Sequence, residues 1–141
     1  MGKITEENYR KLTEAVNYED ADISGLIDDT FTETLDNFFL EKSVSTQDVV
    51  NRTGISKSYI NKLRNRSEKH LKPDRYKIIN IGLALNCTEA EINTLLKSAK
   101  LHSLYARSKQ ESLIIWGLLK GKNYTEILNL LDAHGFGEIF E

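Results

Sequence analysis

The sequence has very little proline and cysteine, and each shortage excludes a class of protein. It holds one proline among 141 residues, where ordinary usage near 5% gives about seven. Because proline ends or kinks helices, few helix breaks are imposed and we expect a mainly helical protein. The single cysteine, Cys87, excludes an internal disulfide and favours an intracellular protein.

Long hydrophobic runs are also missing. The longest apolar run, Leu113–Leu119, is far shorter than the roughly 20 residues of a membrane span. The first five residues do not resemble the start of a secretory signal, and we predict a cytoplasmic protein with no membrane contact. The three histidines lie in separate predicted elements and there is one cysteine, so we expect no metal site. We also expect no cofactor and no enzymatic activity.

An excess of positive charge is absent from the whole chain but present in its middle third. The net charge of −2 argues against a uniformly basic surface. Residues 1–40, however, carry three basic and ten acidic side chains, residues 41–77 carry ten and four, and residues 78–141 carry six and seven. A basic block inside an acidic chain indicates one side that faces a polyanion, with a solvated helix face as the alternative.

Apolar residues recur at helical spacing along the chain. A weak stripe at Ile4, Tyr9, Leu12 and Val16 predicts a short N-terminal helix. Seven stronger stripes predict further helices, and the one around Trp116 is apolar on most sides, so we expect it to be buried as core or dimer interface. We find no strand-like alternation and no internal repeat. The seven helices are predicted to start at Thr30 with Glu33, Ser45, Ser56, Asp74, Thr88 with Glu91, Ser108 with Glu111, and Asn123 with Glu126.

Two short predicted helices joined at a glycine form the most informative pattern. Gly54 supplies the turn, because glycine tolerates the left-handed backbone that a tight turn needs. The helix after the turn has apolar residues three positions apart on one side and basic or amide residues on the rest. Two such helices held at a fixed angle are typical of a helix-turn-helix. The residues predicted to hold the motif together are Val49, Val50, Gly54, Ile55, Ile60 and Leu63.

The segment Ser45–Arg66, with the sequence STQDVVNRTGISKSYINKLRNR, resembles the helix-turn-helix of the lambda repressor, Cro and XRE family, most specifically in GISKSYINKL. Phe31–Leu101 resembles the whole five-helix DNA-binding domain of that family. AKLHSLYARSKQESLIIWGLLKGKNYTEILNLLDAHG resembles the C-terminal helical extension of small regulators from Gram-positive bacteria. The resemblance implies an all-α protein with an acidic arm (1–24), a DNA-binding domain (25–103) and about two further helices (104–141) that are candidates for dimerisation.

The resemblance also implies which residues contact DNA. Two places depart from the family pattern: Thr46 stands where a glutamine usually begins the first helix of the motif, with Gln47 next to it, and Val50 replaces a small residue. Either Thr46 or Gln47 therefore supplies the expected phosphate contact. The residues expected to contact base edges are Lys57, Ser58, Asn61 and Lys62. Those expected to contact phosphates are Lys42, Thr46, Gln47, Arg64, Arg66, Lys69 and Lys72.

The family resemblance implies a transcriptional regulator that places residues 56–66 in the major groove of double-stranded DNA. It also implies a homodimer on an operator of two-fold symmetry. An alternative from another class is a protein-interaction module, such as an adaptor or antitoxin, in which the helix-turn-helix is retained and the acidic parts bind a partner protein.

Overall fold

The regular structure of the described residues is helical. The computed structural model describes residues 30–65 and 73–140, which contain seven α-helices and no strand. This confirms the prediction of an all-α protein. The predicted N-terminal helix, the whole acidic arm (1–24), and Arg66, Lys69 and Lys72 lie outside the described residues. The helices are α1 (Thr30–Lys42), α2 (Thr46–Thr53), α3 (Lys57–Leu63), α4 (Arg75–Ala84), α5 (Glu89–Ser98), α6 (Lys109–Leu119) and α7 (Tyr124–Ala133).

Polar side chains begin the helices where the sequence predicts them. In each of α2 to α7 the residue before the helix accepts a hydrogen bond from a backbone N–H of the first turn, which satisfies a donor that has no partner inside the helix. The predicted reciprocal boxes of Thr88 with Glu91 and of Asn123 with Glu126 are both confirmed. The capping residues are Ser45, Ser56, Asp74, Thr88, Ser108 and Asn123.

One hydrophobic core joins the seven helices. α2 packs against α3 and α4, α1 against α5, and α5 against α4 and α6, while α6 and α7 form a closely packed pair. The core therefore continues from the predicted DNA-binding domain into residues 104–141. Each helix contributes at least one side chain that is 0–1% exposed: Leu35, Val49, Ile60, Ile79, Ile92, Ile114 and Ile127.

The interpretation that the chain has no internal repeat is wrong. α4–α5 and α6–α7 are two copies of one helical hairpin, in which Gly117 follows Gly82 by 35 residues. A Cβ added to Gly82 would lie 3.0 Å from Cγ1 of Ile92, and one added to Gly117 would lie 3.0 Å from Cγ1 of Ile127. Seven positions are identical between the copies: Ile79 and Ile114, Gly82 and Gly117, Leu83 and Leu118, Glu91 and Glu126, Ile92 and Ile127, Leu95 and Leu130, and Leu96 and Leu131.

The hairpin copies also share their turns. Asn86 (φ 61°) and Gly121 (φ 72°) adopt the same left-handed conformation after α4 and α6. In each copy the following N–H donates to the carbonyl of the repeat glycine, from Cys87 to Gly82 at 3.0 Å and from Lys122 to Gly117 at 2.9 Å. A hydrogen bond of 2.6 Å from the Tyr124 hydroxyl to Oδ1 of the buried Asn80 joins the two hairpins.

The expectation that α6 is buried as core is wrong within one chain, whereas its burial in a dimer interface stays a prediction. Trp116 is 47% exposed and Leu119 is 68% exposed, whereas Ile114 and Gly117 face the core. α6 packs against α5 and α7, and these neighbours cover only one side of it. Within the described ranges, no helix combines the length and the apolar character that crossing a bilayer requires.

Candidate nucleic-acid interface

The helix pair α2–α3 is held from inside by the residues that the sequence predicts. Val49, Ile60 and Leu63 have no exposed surface, and Val50 is half-buried against the same core. Gly54 ends α2 in the left-handed conformation (φ 74°), and its N–H donates to the Val50 carbonyl at 2.9 Å. Ile55, 9% exposed, follows in the turn. The angle between the two helices is therefore fixed by packing on one side and by backbone geometry at the turn.

Replacing Gly54 with alanine should strain this turn without any steric clash. No atom lies within 4 Å of the position that a Cβ would take, so the effect comes only from the left-handed backbone, which costs an L-residue about 1–2 kcal/mol. We expect Gly54→Ala to lower the free energy of unfolding by that amount in urea titrations. Gly54→Asn, which tolerates this conformation better, should lose less. Equal stability of the three proteins would contradict this account of the turn.

α3 separates a buried side from a polar side. It spans Lys57–Leu63, with Ser56 as N-cap and Arg64 as C-cap, and is thus shorter than the predicted 56–66. While Ile60 and Leu63 anchor it, the four residues predicted to contact bases are all exposed. None of the four side chains forms a hydrogen bond or an ion pair with another described residue. These four side chains, which form the polar face of α3, are Lys57, Ser58, Asn61 and Lys62.

Arg64 and Thr46, both predicted to contact phosphates, are joined in one polar network. The Arg64 guanidinium donates to Asp36 Oδ1 at 2.6 Å and to Thr46 Oγ1 at 2.7 Å. It also lies over the Phe39 ring, 4.1 Å from its centroid. Because Asp36 and Phe39 belong to α1, this network fastens the ends of α2 and α3 to α1. The Arg64 side chain is 29% exposed.

Lys42 and Gln47 have partners inside the protein as well. The Lys42 ammonium forms an ion pair of 2.8 Å with Glu91, whose hydrogen bond raises the pKa of Lys42. Burial raises the pKa of Glu91, but the bonds from Lys42 and from the Thr88 backbone outweigh burial, and the net pKa is lowered. Gln47 Nε2 donates to Asn51 Oδ1 at 2.9 Å, and both residues are exposed. Lys42 thus connects α1 to the start of α5.

Three further cations of the basic block have structural partners that the sequence did not reveal. Arg52 donates to the Ala84 carbonyl at 2.6 Å, and the Lys77 ammonium lies 4.4 Å from the centroid of the Tyr59 ring. Arg75 is bound to Glu111, a buried carboxylate 3% exposed. Each partner lies at least 18 residues away in the chain, so local spacing could not identify it. Among the described residues of the basic block, Lys57 and Lys62 are the cations with no internal partner.

Comparisons with protein-family models, with curated proteins and with solved structures each found no match to this chain. The polar face of α3 is therefore the feature of the chain that indicates a function.

Proposed function

We propose that this protein is a sequence-specific regulator of transcription that inserts α3 into the major groove of double-stranded DNA. The fold proposed for it is the five-helix domain of the lambda repressor and XRE family, built from α1–α5, with α6–α7 as the C-terminal extension. One observation carries the proposal: α3 is anchored by two fully buried residues, while the side chains of its polar face are exposed and have no partner among the described residues.

The chemistry of this polar face suits base edges. A lysine donates to O6 and N7 of guanine, and an asparagine forms a bidentate pair with N6 and N7 of adenine. Lys57 and Asn61 are four residues apart and so lie on the same side of α3. Ser58 and Lys62, also four apart, extend this surface. A short rigid helix that presents such donors and acceptors is the feature that a helix-turn-helix uses for recognition.

Phosphate contacts would come from the rim of the same surface. Gln47 is exposed, and the Arg64 side chain is 29% exposed at the end of α3. We propose these two together with Thr46, Lys42, Arg66, Lys69 and Lys72, as the family resemblance implies. Such contacts position a protein on DNA without reading its sequence. We further propose a homodimer on a two-fold operator with half-sites about 34 Å apart, acting in the cytoplasm.

The test is selection from a pool of random duplex DNA by the full-length protein, followed by binding titrations of the selected duplex at two salt concentrations. We expect one motif of two-fold symmetry to be enriched. Affinity should fall steeply with salt, because each neutralised phosphate contributes about −0.9 to the slope of log K against log salt. A bound complex of two chains per duplex is expected. If no sequence is enriched, the proposal of sequence-specific DNA recognition is wrong. The alternative, a protein-interaction module, is then the better description of the protein.

A further inference from the structure

The internal repeat identifies a side of α6 that is exposed where its counterpart on α4 is buried. Three positions at the end of the first helix of each hairpin are at most 1% exposed in the first copy, whereas in the second copy two of them are large apolar residues with 47% and 68% exposure. The aligned pairs are Ile81 and Trp116, Ala84 and Leu119, and Leu85 and Lys120. We call Trp116, Leu119 and Lys120 the open face of α6.

In the first hairpin, a short amphipathic helix contacts the end of α4. α2 has eight residues, with Val49 buried and Asp48 exposed. It packs against α4, and its Arg52 guanidinium donates at 2.6 Å to the carbonyl of Ala84, whose counterpart in the second hairpin is Leu119. Because the first copy of the hairpin binds a helix at this end, a helix is the kind of structure that we expect to cover the open face of the second copy.

Basic side chains lie at both ends of the open face. Lys109 and Lys120 share the side of Trp116, because they lie seven and four residues from it in the sequence of the helix. Glu111, the acidic residue of α6, is 3% exposed and bound to Arg75, so it does not neutralise these lysines. All the basic residues at α6 and its ends are exposed and form no ion pair within the described ranges. These residues are Arg107, Lys109, Lys120 and Lys122.

An apolar centre with basic ends distinguishes between the possible occupants of the open face. Two α6 helices packed face to face would bring basic residues against basic residues, which opposes association, so the proposed homodimer would use another surface. Membrane binding grows with the apolar area that is inserted, and Trp116 and Leu119 provide little. A nucleic-acid backbone would pair with the lysines but leave Leu119 uncovered. An amphipathic helix with acidic side chains along its apolar stripe matches both the apolar and the charged part.

We propose that the open face of α6 binds an acidic amphipathic helix of a partner protein. The apolar stripe of the partner helix covers Trp116 and Leu119, and the carboxylates beside the stripe approach Lys109 and Lys120. About three turns of partner helix, at 5.4 Å per turn, span the length of α6 between these two lysines. This inference does not depend on DNA binding, so failure of the proposed function would leave it unaffected.

The test uses Trp116, the only tryptophan in the chain, as a fluorescence reporter in the full-length protein. The probe is a tryptophan-free synthetic peptide of about 15 residues, with leucines at helical spacing and glutamates beside them. This acidic peptide should shift the emission to the blue and lower the acrylamide quenching constant about two-fold, because it covers a side chain that is 47% exposed. A peptide with lysines in place of the glutamates should bind at least about tenfold more weakly, because like charges oppose association.

Two double variants with the same change in charge locate the binding site. Lys109→Glu with Lys120→Glu should weaken binding of the acidic peptide at least about tenfold and strengthen binding of the lysine peptide. Lys97→Glu with Lys100→Glu is the matched control, because both residues are exposed and lie at the end of α5. It should change both affinities much less, and both double variants should keep the helical circular dichroism of the unmodified protein.

Several results would overturn the proposal. Unchanged emission at millimolar acidic peptide would show that such a helix does not cover Trp116. Equal affinity for the two peptides, or an equal loss in the two double variants, would show that Lys109 and Lys120 do not select the partner. Without peptide, emission that shifts to the red on dilution would assign the open face to a second copy, and blue-shifted emission at every concentration would assign it to the protein's own chain. A blue shift with vesicles of anionic phospholipid, and none with the acidic peptide, would assign it to a membrane surface.

Discussion

Replacing Lys57 and Asn61 together with alanine is expected to weaken binding to the selected operator by at least about 30-fold. Each good bidentate base contact gives about 1–3 kcal/mol of discrimination, and a tenfold change in affinity corresponds to about 1.4 kcal/mol. Binding to unselected duplex should change much less, because only the loss of the Lys57 charge affects it. The ratio between specific and nonspecific affinity is the quantity to measure, by fluorescence anisotropy at one fixed salt concentration.

The matched control for this double variant is Lys97→Ala with Asn129→Ala. These residues have the same side-chain types, are exposed, and lie on α5 and α7. The control removes one positive charge and one amide from the protein without touching the polar face of α3. Both double variants should unfold within about 0.5 kcal/mol of the parent, as is usual for exposed positions. Equal loss of operator binding in the two variants would show that the polar face of α3 does not recognise the operator.

Local features of the fold could be predicted from the sequence because their causes lie within a few residues. Ser56, Asp74 and Thr88 begin helices since a side-chain oxygen meets an N–H of the same first turn. Gly54 likewise ends α2 through its own backbone freedom. The separation of α3 into a buried and an exposed side also follows from spacing alone.

Glu111 is a residue whose partner cannot be predicted from its neighbours in the sequence. Its position three residues after Ser108 predicts a reciprocal capping box, and Ser108 Oγ does accept from the Glu111 N–H at 3.4 Å. The Glu111 carboxylate, however, does not accept a hydrogen bond from the backbone N–H of Ser108. It accepts from Arg75 and from the Tyr105 N–H instead, and Arg75 lies 36 residues earlier in the chain. A stronger, charge-assisted partner from another element outcompetes the local one, and spacing contains no information about that partner.

The repeat is not apparent from the amino-acid sequence for a related reason. Only the face that packs the two helices of each hairpin against each other is kept between the copies, as in Gly82 and Gly117. The face turned toward the rest of the protein differs: Ile81 is 1% exposed on α4, against which α2 packs, whereas Trp116 on α6 is 47% exposed. Seven identities spread over two helices are visible in the sequence only once the shared turn geometry gives their alignment.

The second large effect is expected at Glu111. Its carboxylate accepts from Arg75 Nε at 3.0 Å and from an Arg75 terminal nitrogen at 2.6 Å, and also from the Tyr105 N–H and the Tyr76 hydroxyl. Arg75 donates further to the carbonyls of His102 and Ser103. The pair thus ties α4, the chain before α6 and α6 itself together. Glu111→Ala leaves the largely buried Arg75 charge unpaired and should lower the free energy of unfolding by about 3–5 kcal/mol.

Urea titrations measure this loss, with Glu138→Ala at an exposed position as control. The double variant Arg75→Met with Glu111→Leu should recover most of the stability, because exchanging a whole buried ion pair for apolar side chains is often neutral. A double variant as unstable as Glu111→Ala would show that Arg75 stabilises the fold through the two carbonyls rather than through the pair.

The ion pair of Arg75 and Glu111 also predicts a pH dependence. The quantity that depends on pH is the difference in free energy of unfolding between the unmodified protein and Glu111→Ala, here called the stability gap. Burial raises the pKa of Glu111, but the hydrogen bonds from Arg75 and the Tyr105 N–H outweigh burial, and the net pKa lies below the ordinary value of 4.5. A lowered folded-state pKa gives stability that is present above the unfolded-state pKa and is lost as the pH falls through the folded-state pKa. The gap between the unmodified protein and Glu111→Ala should therefore be full at pH 7 and shrink below about pH 4.5. Glu91 and Asp48, whose pKa values are also lowered, are present in both proteins, so their contributions cancel in the difference. A gap that stays constant down to pH 3 would mean that the lost stability comes from packing and not from the ionised carboxylate.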